Sequence, residues 1–233
     1  MVILAMAAHP DDIELGCAGT LAKYAQRGDK VFMGSLTNGN VGRPDTDLPE
    51  MARIRKAELE KSAAIIGAEV IWVDVDDELS DVSVESRLRM VDVFRYCKPD
   101  LVITHTSGDY HPDHRNCGQL VLDASPLACV PKIERELPYL EKQFPIYFMD
   151  NIGGVNFMPT EYVDITDTVG IKKQMFLCHE SQTSYMKDVN GFDPSDIIEV
   201  SGRFRGFAAG CRYAEGFTKF DAWYRGLTQR ILP

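Results

Sequence analysis

The chain has 233 residues, enough to bury about 70–75% of its unfolded surface without a disulfide or metal to hold the fold. At 45% hydrophobic and 26% charged it falls outside the disordered, collagen-like and low-complexity classes. Its formal charge of −10, with no block of basic residues, excludes nucleic acid and anionic membrane surfaces as expected partners.

The apolar start of the chain has no preceding basic residues and runs straight into His9-Pro10-Asp11-Asp12, so it is predicted to be a strand rather than a signal peptide. No other apolar run approaches the ~18 residues of a membrane span. Six scattered cysteines without a C-x-x-C pair predict reduced thiols and a cytoplasmic protein.

Residues 2–8 form the continuous apolar run of a buried parallel strand. Leu15, Ala18, Leu21, Ala22 and Ala25 then recur at helical spacing until Gly28. Residues 31–36 predict a second strand, 50–66 a helix closed by Gly67, 70–73 a third strand, and 84–97 a helix with Val84, Leu88, Val91 and Phe94 on one face. Residues 101–104 predict a fourth strand, followed by a helix from about His114. This alternation calls for a Rossmann-like three-layer α/β/α architecture with a mostly parallel sheet, in a single domain over residues 1–233. The C-terminal part is less regular, with strands near 146–149 and 161–165, a helix over 168–179 and a Gly- and aromatic-rich tail. Residues 38–48 and 183–196 are expected to be rim loops. In such sheets ligands bind beyond the carboxyl ends of the strands.

Polar residues cluster at two of those ends. The first strand ends in His9-Pro10-Asp11-Asp12, and the fourth is followed by His105 and then His111-Pro112-Asp113-His114. Three of only five histidines lie in these two tetrapeptides. Each tetrapeptide alone also fits a polar turn or helix N-cap. Together, on one sheet edge, their His and Asp side chains form a plausible ligand set for a borderline metal such as zinc. A catalytic zinc keeps three protein ligands and an open position, where bound water approaches a pKa of ~7. Left-over carboxylate and imidazole groups would then act as general base and oxyanion partner. The same ligand chemistry fits a two-His-one-carboxylate iron oxygenase, a class the βα alternation opposes.

Ala8-His9-Pro10-Asp11-Asp12-Ile13-Glu14-Leu15-Gly16-Cys17-Ala18-Gly19-Thr20 and His111-Pro112-Asp113-His114 resemble the two motifs of the PIG-L/LmbE-like zinc-dependent N-acetylglucosaminyl deacetylases. Arg55-Lys56-Ala57-Glu58, His179-Glu180-Ser181-Gln182 and Tyr213-Ala214-Glu215-Gly216-Phe217 are similar to weaker blocks of that family. The resemblance implies a hydrolase that removes the N-acetyl group of an N-acetylglucosamine-type small molecule, or a related glucosaminyl or thiol-conjugate amide. It implies His9, Asp12 and His114 as ligands of Zn²⁺, or of another divalent transition metal such as Fe²⁺, and Asp11 as the base that takes a proton from the zinc-bound water. His111 would hold the oxyanion or protonate the amine, Asp113 would orient His111, and Arg55 would touch the sugar. A homo-oligomer, up to a hexamer, is also implied.

Outside the motifs, His105 is expected at a strand end or pocket floor, His179 in a structural role and Glu14 paired with a neighbour. Asp109 and Tyr110 fit either a pocket wall or an ordinary loop. Phe204, Phe207, Tyr213, Phe217, Phe220 and Trp223 are expected in the core or a subunit interface.

Overall fold

A computed structural model describes residues 1–191, 193–222 and 230–233. The elements run β1 (Val2–Ala7), α1 (Asp12–Gly16), α2 (Ala18–Gln26), β2 (Lys30–Thr37), α3 (Leu48–Ile65), β3 (Glu69–Val75), α4 (Val84–Cys97), β4 (Leu101–Thr104) and α5 (Pro112–Leu127). They continue as β5 (Ile146–Met149), β6 (Glu161–Asp164), α6 (Val169–Phe176), α7 (Glu180–Asn190), α8 (Pro194–Ala209) and β7 (Ala214–Lys219). One seven-stranded sheet has the order β3-β2-β1-β4-β5-β7-β6. Strands β1 to β5 are parallel, and β7 runs antiparallel to both of its neighbours.

The predicted α/β architecture is therefore the observed one, with two apolar layers sandwiching the sheet. Alternate residues of β1 feed opposite clusters: Ile3, Ala5 and Ala7 join Leu21 and Tyr24 on one face, while Leu4 and Met6 join Val91, Phe94 and Leu120 on the other. Strand order reverses between β1 and β4, which makes their carboxyl ends the topological switch point. Register aligns those ends, with Met6 opposite Thr104 and Ala7 opposite Ser35. His9 and His105 consequently emerge side by side.

The predicted helix over Leu15 to Gly28 is two helices, because Cys17 at φ −148° and ψ 9° breaks the helical path. The interruption frees the amides of Gly19 and Thr20 at the start of α2, and both donate to the buried carboxylate of Glu215 on β7, at 2.9 and 2.8 Å. The Thr20 hydroxyl and Lys172 Nζ complete this clamp, each at 2.6 Å.

The C-terminal part departs furthest from expectation. Residues 183–196, expected as a rim loop, are mostly the end of α7 and the start of α8. The aromatic tail contributes α8 and β7, which inserts between β5 and β6. Tyr213 and Phe217 are core residues and Phe220 packs on Phe148, whereas Phe204 and Phe207 are exposed. Trp223 lies outside the described residues.

Candidate active site

Both histidine motifs are strand-to-helix turns. After β1, the amides of Asp11 and Asp12 fold back on the His9 carbonyl, and the His9 amide donates to Asp12 Oδ2 at 2.8 Å. After β4, His111 is the N-cap of α5: its ring accepts from the Asp113 amide, and Pro112 opens the helix. Gly118 lets α5 lie directly on the strand end, since a Cβ there would come within 2.4 Å of the His105 carbonyl oxygen.

His9, Asp12 and His114 converge. His9 Nδ1 lies 3.2 Å from Asp12 Oδ2 and 3.2 Å from His114 Nε2, and His114 Nε2 lies 3.3 Å from Asp12 Oδ1. Donors at the corners of a tetrahedron around a zinc ion, with bonds of about 2.0 Å, stand about 3.3 Å apart. Two ring nitrogens facing each other across a carboxylate have at most two protons for these mutual approaches, whereas a cation satisfies all three. The outer nitrogens of both rings also meet carboxylates. His9 Nε2 lies 3.1 Å from Asp77 Oδ1 and 3.4 Å from Asp113 Oδ2, and His114 Nδ1 lies 3.1 Å from Asp109 Oδ1. Carboxylates of this kind fix the tautomer that leaves the inner nitrogen free for a metal. The donor set thus fits a divalent transition metal. Overlapping groups also bring His105 to Asp12 and His114, and His111 to His9 and His114.

The electrostatics follow from this packing. Burial opposes the charge on Asp12, but His114, His9 and His105 outweigh it and hold the carboxyl well below its usual range. Burial likewise opposes a charge on His114, yet Asp12 and Asp109 raise its pKa to about 9. His9 is raised well above its usual value against burial by Asp12, Asp113 and Asp77. His105 is buried, stacks on His114 at 4.0 Å between ring centroids, and is lowered by burial and by His114.

Asp11 stands beside this group. Burial raises its carboxyl pKa, and Arg55 opposes the rise. Arg55 is not on a solvated face of α3: it is only 3% exposed, and its guanidinium donates to the Pro10 carbonyl at 2.7 Å and lies 3.2 Å from Asp11 Oδ2. Gly39, at φ +65°, makes room for it, since a Cβ there would stand 2.9 Å from Arg55 Nε. Behind Asp11, buried His179 lies 3.1 Å from Glu14 Oε1, which also accepts from Ser62 Oγ.

Asp113 departs from the expected pairing. Its carboxylate takes the Glu78 amide at 2.9 Å, the Ser80 hydroxyl at 2.5 Å and the outer nitrogen of His9, and its own amide reaches His111. The side chain that lies against His111 Nε2 is Glu78, at 3.2 Å. Asp77 and Glu78 carry no recognisable sequence motif. The one signal available was an acidic run at the carboxyl end of the third predicted strand, the sheet edge where ligands bind. Asp109, left between wall and loop by sequence, is buried and holds His114.

His9, Asp11, Arg55, His111 and His114 share a cleft of about 260 Å³. A three-layer α/β fold with a His/Asp cluster at its switch point defines an α/β protein with a candidate metal site. The family model described as GlcNAc-PI de-N-acetylase, PIG-L, matches residues 4–125, and the chain belongs to this family. Diacetylchitobiose deacetylase of Thermococcus kodakarensis is 30% identical over 227 residues, covering 92% of this chain and 81% of the relative. Among solved structures, N,N'-diacetylchitobiose deacetylase from Pyrococcus horikoshii is 26% identical with a TM-score of 0.81, covering 94% of this chain and 83% of that one. GalB, the 4-carboxy-2-hydroxymuconate hydratase from Pseudomonas putida KT2440, also reaches 0.81 at 20% identity over 99% and 100% of the two chains, a likeness of fold.

Proposed function

We propose that the protein hydrolyses the N-acetyl group of an N-acetylglucosamine-type small molecule, releasing acetate and a free amine, with zinc at His9, Asp12 and His114. The observation that carries this reading is the convergence of these three side chains, with His9 Nδ1 and His114 Nε2 3.2 Å apart and Asp12 meeting the first through Oδ2 and the second through Oδ1, beside an additional buried carboxylate, Asp11. Family membership and the deacetylase relatives support the acetamide as the scissile group. A divalent cation in this donor set supplies Lewis acidity toward the acyl oxygen and lowers the pKa of water.

The chain's own residues do the rest. Asp11 takes a proton from the attacking water, and burial brings its carboxyl toward a value suited to that exchange. Arg55 holds Asp11 in place through the Pro10 carbonyl and the carboxylate itself, and it lines the cleft. Because His111 Nδ1 accepts from the Asp113 amide, its proton sits on Nε2. That N–H faces Glu78 Oε1 at 3.2 Å and reaches the oxygen on which charge develops by turning from it, a role of oxyanion stabilisation rather than proton delivery for His111. The proton collected by Asp11 then passes to the departing nitrogen.

The test is Asp11→Asn with acetate release measured on N,N'-diacetylchitobiose. Turnover should fall by ~10²-fold or more while the zinc content stays at the wild-type level. Near-wild-type turnover in that variant would remove Asp11 as the base.

A further inference from the structure

The cleft is acidic beyond what the proposed chemistry uses. Asp77 and Glu78 line it in addition to Asp11 and Asp12, and Asp109 and Asp113 stand directly behind the histidines. Among the described residues lining the cleft, Arg55 is the one cation of fixed charge, and its guanidinium is already held by Asp11 and the Pro10 carbonyl. A divalent ion would still leave carboxylates in excess. The rim is of a different character: Val41, Tyr110 and Met186 line the mouth, and the first two are about half exposed.

Glu78 is where these features meet the incoming molecule. It is a non-glycine residue in the left-handed region, at φ 64°. That conformation is held by its amide on Asp113 Oδ2 and by Ser80 Oγ on Asp113 Oδ1, with Asn116 Nδ2 donating in turn to the Ser80 carbonyl. The cost of a left-handed non-glycine is sustained where surrounding contacts over-determine it. The result is a half-exposed carboxylate at the cleft wall beside His111, 3.2 Å from its Nε2.

We infer that the site selects uncharged amino-sugar substrates against anionic ones, and that Glu78 is the specificity-determining residue that reads this charge. The inference rests on the deacetylase reading and deepens it. An anionic substituent on the sugar would enter a cleft of like charge whose one described fixed cation, Arg55, is already paired with Asp11, whereas a neutral sugar can lay its C–H face on the Val41, Tyr110 and Met186 rim. A like charge about 8 Å away on a half-exposed side chain such as Glu78 shifts binding by roughly threefold, and the other carboxylates of the cleft bring the total to roughly tenfold.

The experiment titrates N-acetylglucosamine and N-acetylglucosamine 6-sulfate into zinc-loaded wild-type and Glu78→Gln protein by calorimetry, with acetate release measured separately on both sugars. The neutral sugar should bind roughly tenfold more tightly than the sulfate in the wild type. The ratio should shrink to roughly threefold in Glu78→Gln, which keeps the shape and removes the charge. Equal or tighter binding of the sulfate, or a ratio unmoved by Glu78→Gln, overturns the inference. Binding in the expected order with no acetate released from either sugar leaves charge selection standing and overturns the deacetylase reading. Failure of both sugars to bind overturns both.

Discussion

Replacing Asp113 by alanine separates two roles that one residue could play. A residue that serves only to tune His111 should, when removed, lower turnover and leave metal affinity alone. In the structure its carboxylate faces the other way: it takes the Glu78 amide and the Ser80 hydroxyl and lies 3.4 Å from His9 Nε2, so its loss should act through a metal ligand. Losing a carboxylate that orients a ligating histidine costs 10- to 100-fold in metal affinity, about 1.4–2.8 kcal/mol. The lower end is expected here, because Asp77 also meets His9 Nε2, at 3.1 Å, and remains in the variant. Adding Asp77→Ala should then take the loss toward the upper end. Zinc affinity is measured by competition with a chromophoric chelator, and the Asp113→Asn protein serves as control. Its single amide oxygen can still accept from the Glu78 amide, while its NH2 can meet the Ser80 hydroxyl only as a donor, so it should lose less than alanine. Unchanged zinc affinity in Asp113→Ala, with a fall in turnover alone, would refute this reasoning and return Asp113 to His111.

Two further predictions concern stability. Glu215→Ala strands Lys172, which is 3% exposed and loses its carboxylate partner, and frees the amides of Gly19 and Thr20; removing one partner of a buried pair costs about 3–5 kcal/mol. Denaturant unfolding would show it, and a change below about 1 kcal/mol would mean that Glu215 does not hold α2 to the sheet. In metal-free protein the His114 pKa lies at about 9, above its unfolded value, and His9 is raised in the same sense. Their stabilisation is fully present below about pH 6.5 and is lost as pH rises toward 9, while zinc affinity rises over the same interval because the metal displaces those protons. A metal-free melting temperature that climbs between pH 6.5 and 9 would contradict this.

Much of the site was legible in the chain because its chemistry is written locally. Proline after each histidine and a strand before each motif were enough to put His9, Asp11, Asp12, His111 and His114 on one sheet edge, since parallel strands joined by helices deliver their carboxyl ends to the same side. Period and turn residues likewise marked the first five parallel strands. The helices that occupy most of residues 183–196 were missed because α7 is polar, with Tyr185, Met186 and Val189 its only apolar side chains, and β7 because Gly216 and Glu215 interrupt the pattern of a strand.

What only the tertiary structure decided is which partner each polar group takes. Glu215 reads as one acid in an aromatic tail until β7 inserts beside β5 and brings it to the start of α2, 195 residues away in the chain. Arg55 belongs to a dense run of basic residues on a helix, and only the packing of α3 against the turn at Pro10 turns it into a buried support for Asp11. Asp77 and Glu78 come from the end of β3, two strands from β1, and reach His9 and His111 only because the β3 loop folds over the sheet edge. Sequence fixes the side chains a segment can offer and the side of the sheet on which it offers them. Pairing between segments far apart in the chain depends on strand order and loop path, which no local spacing encodes.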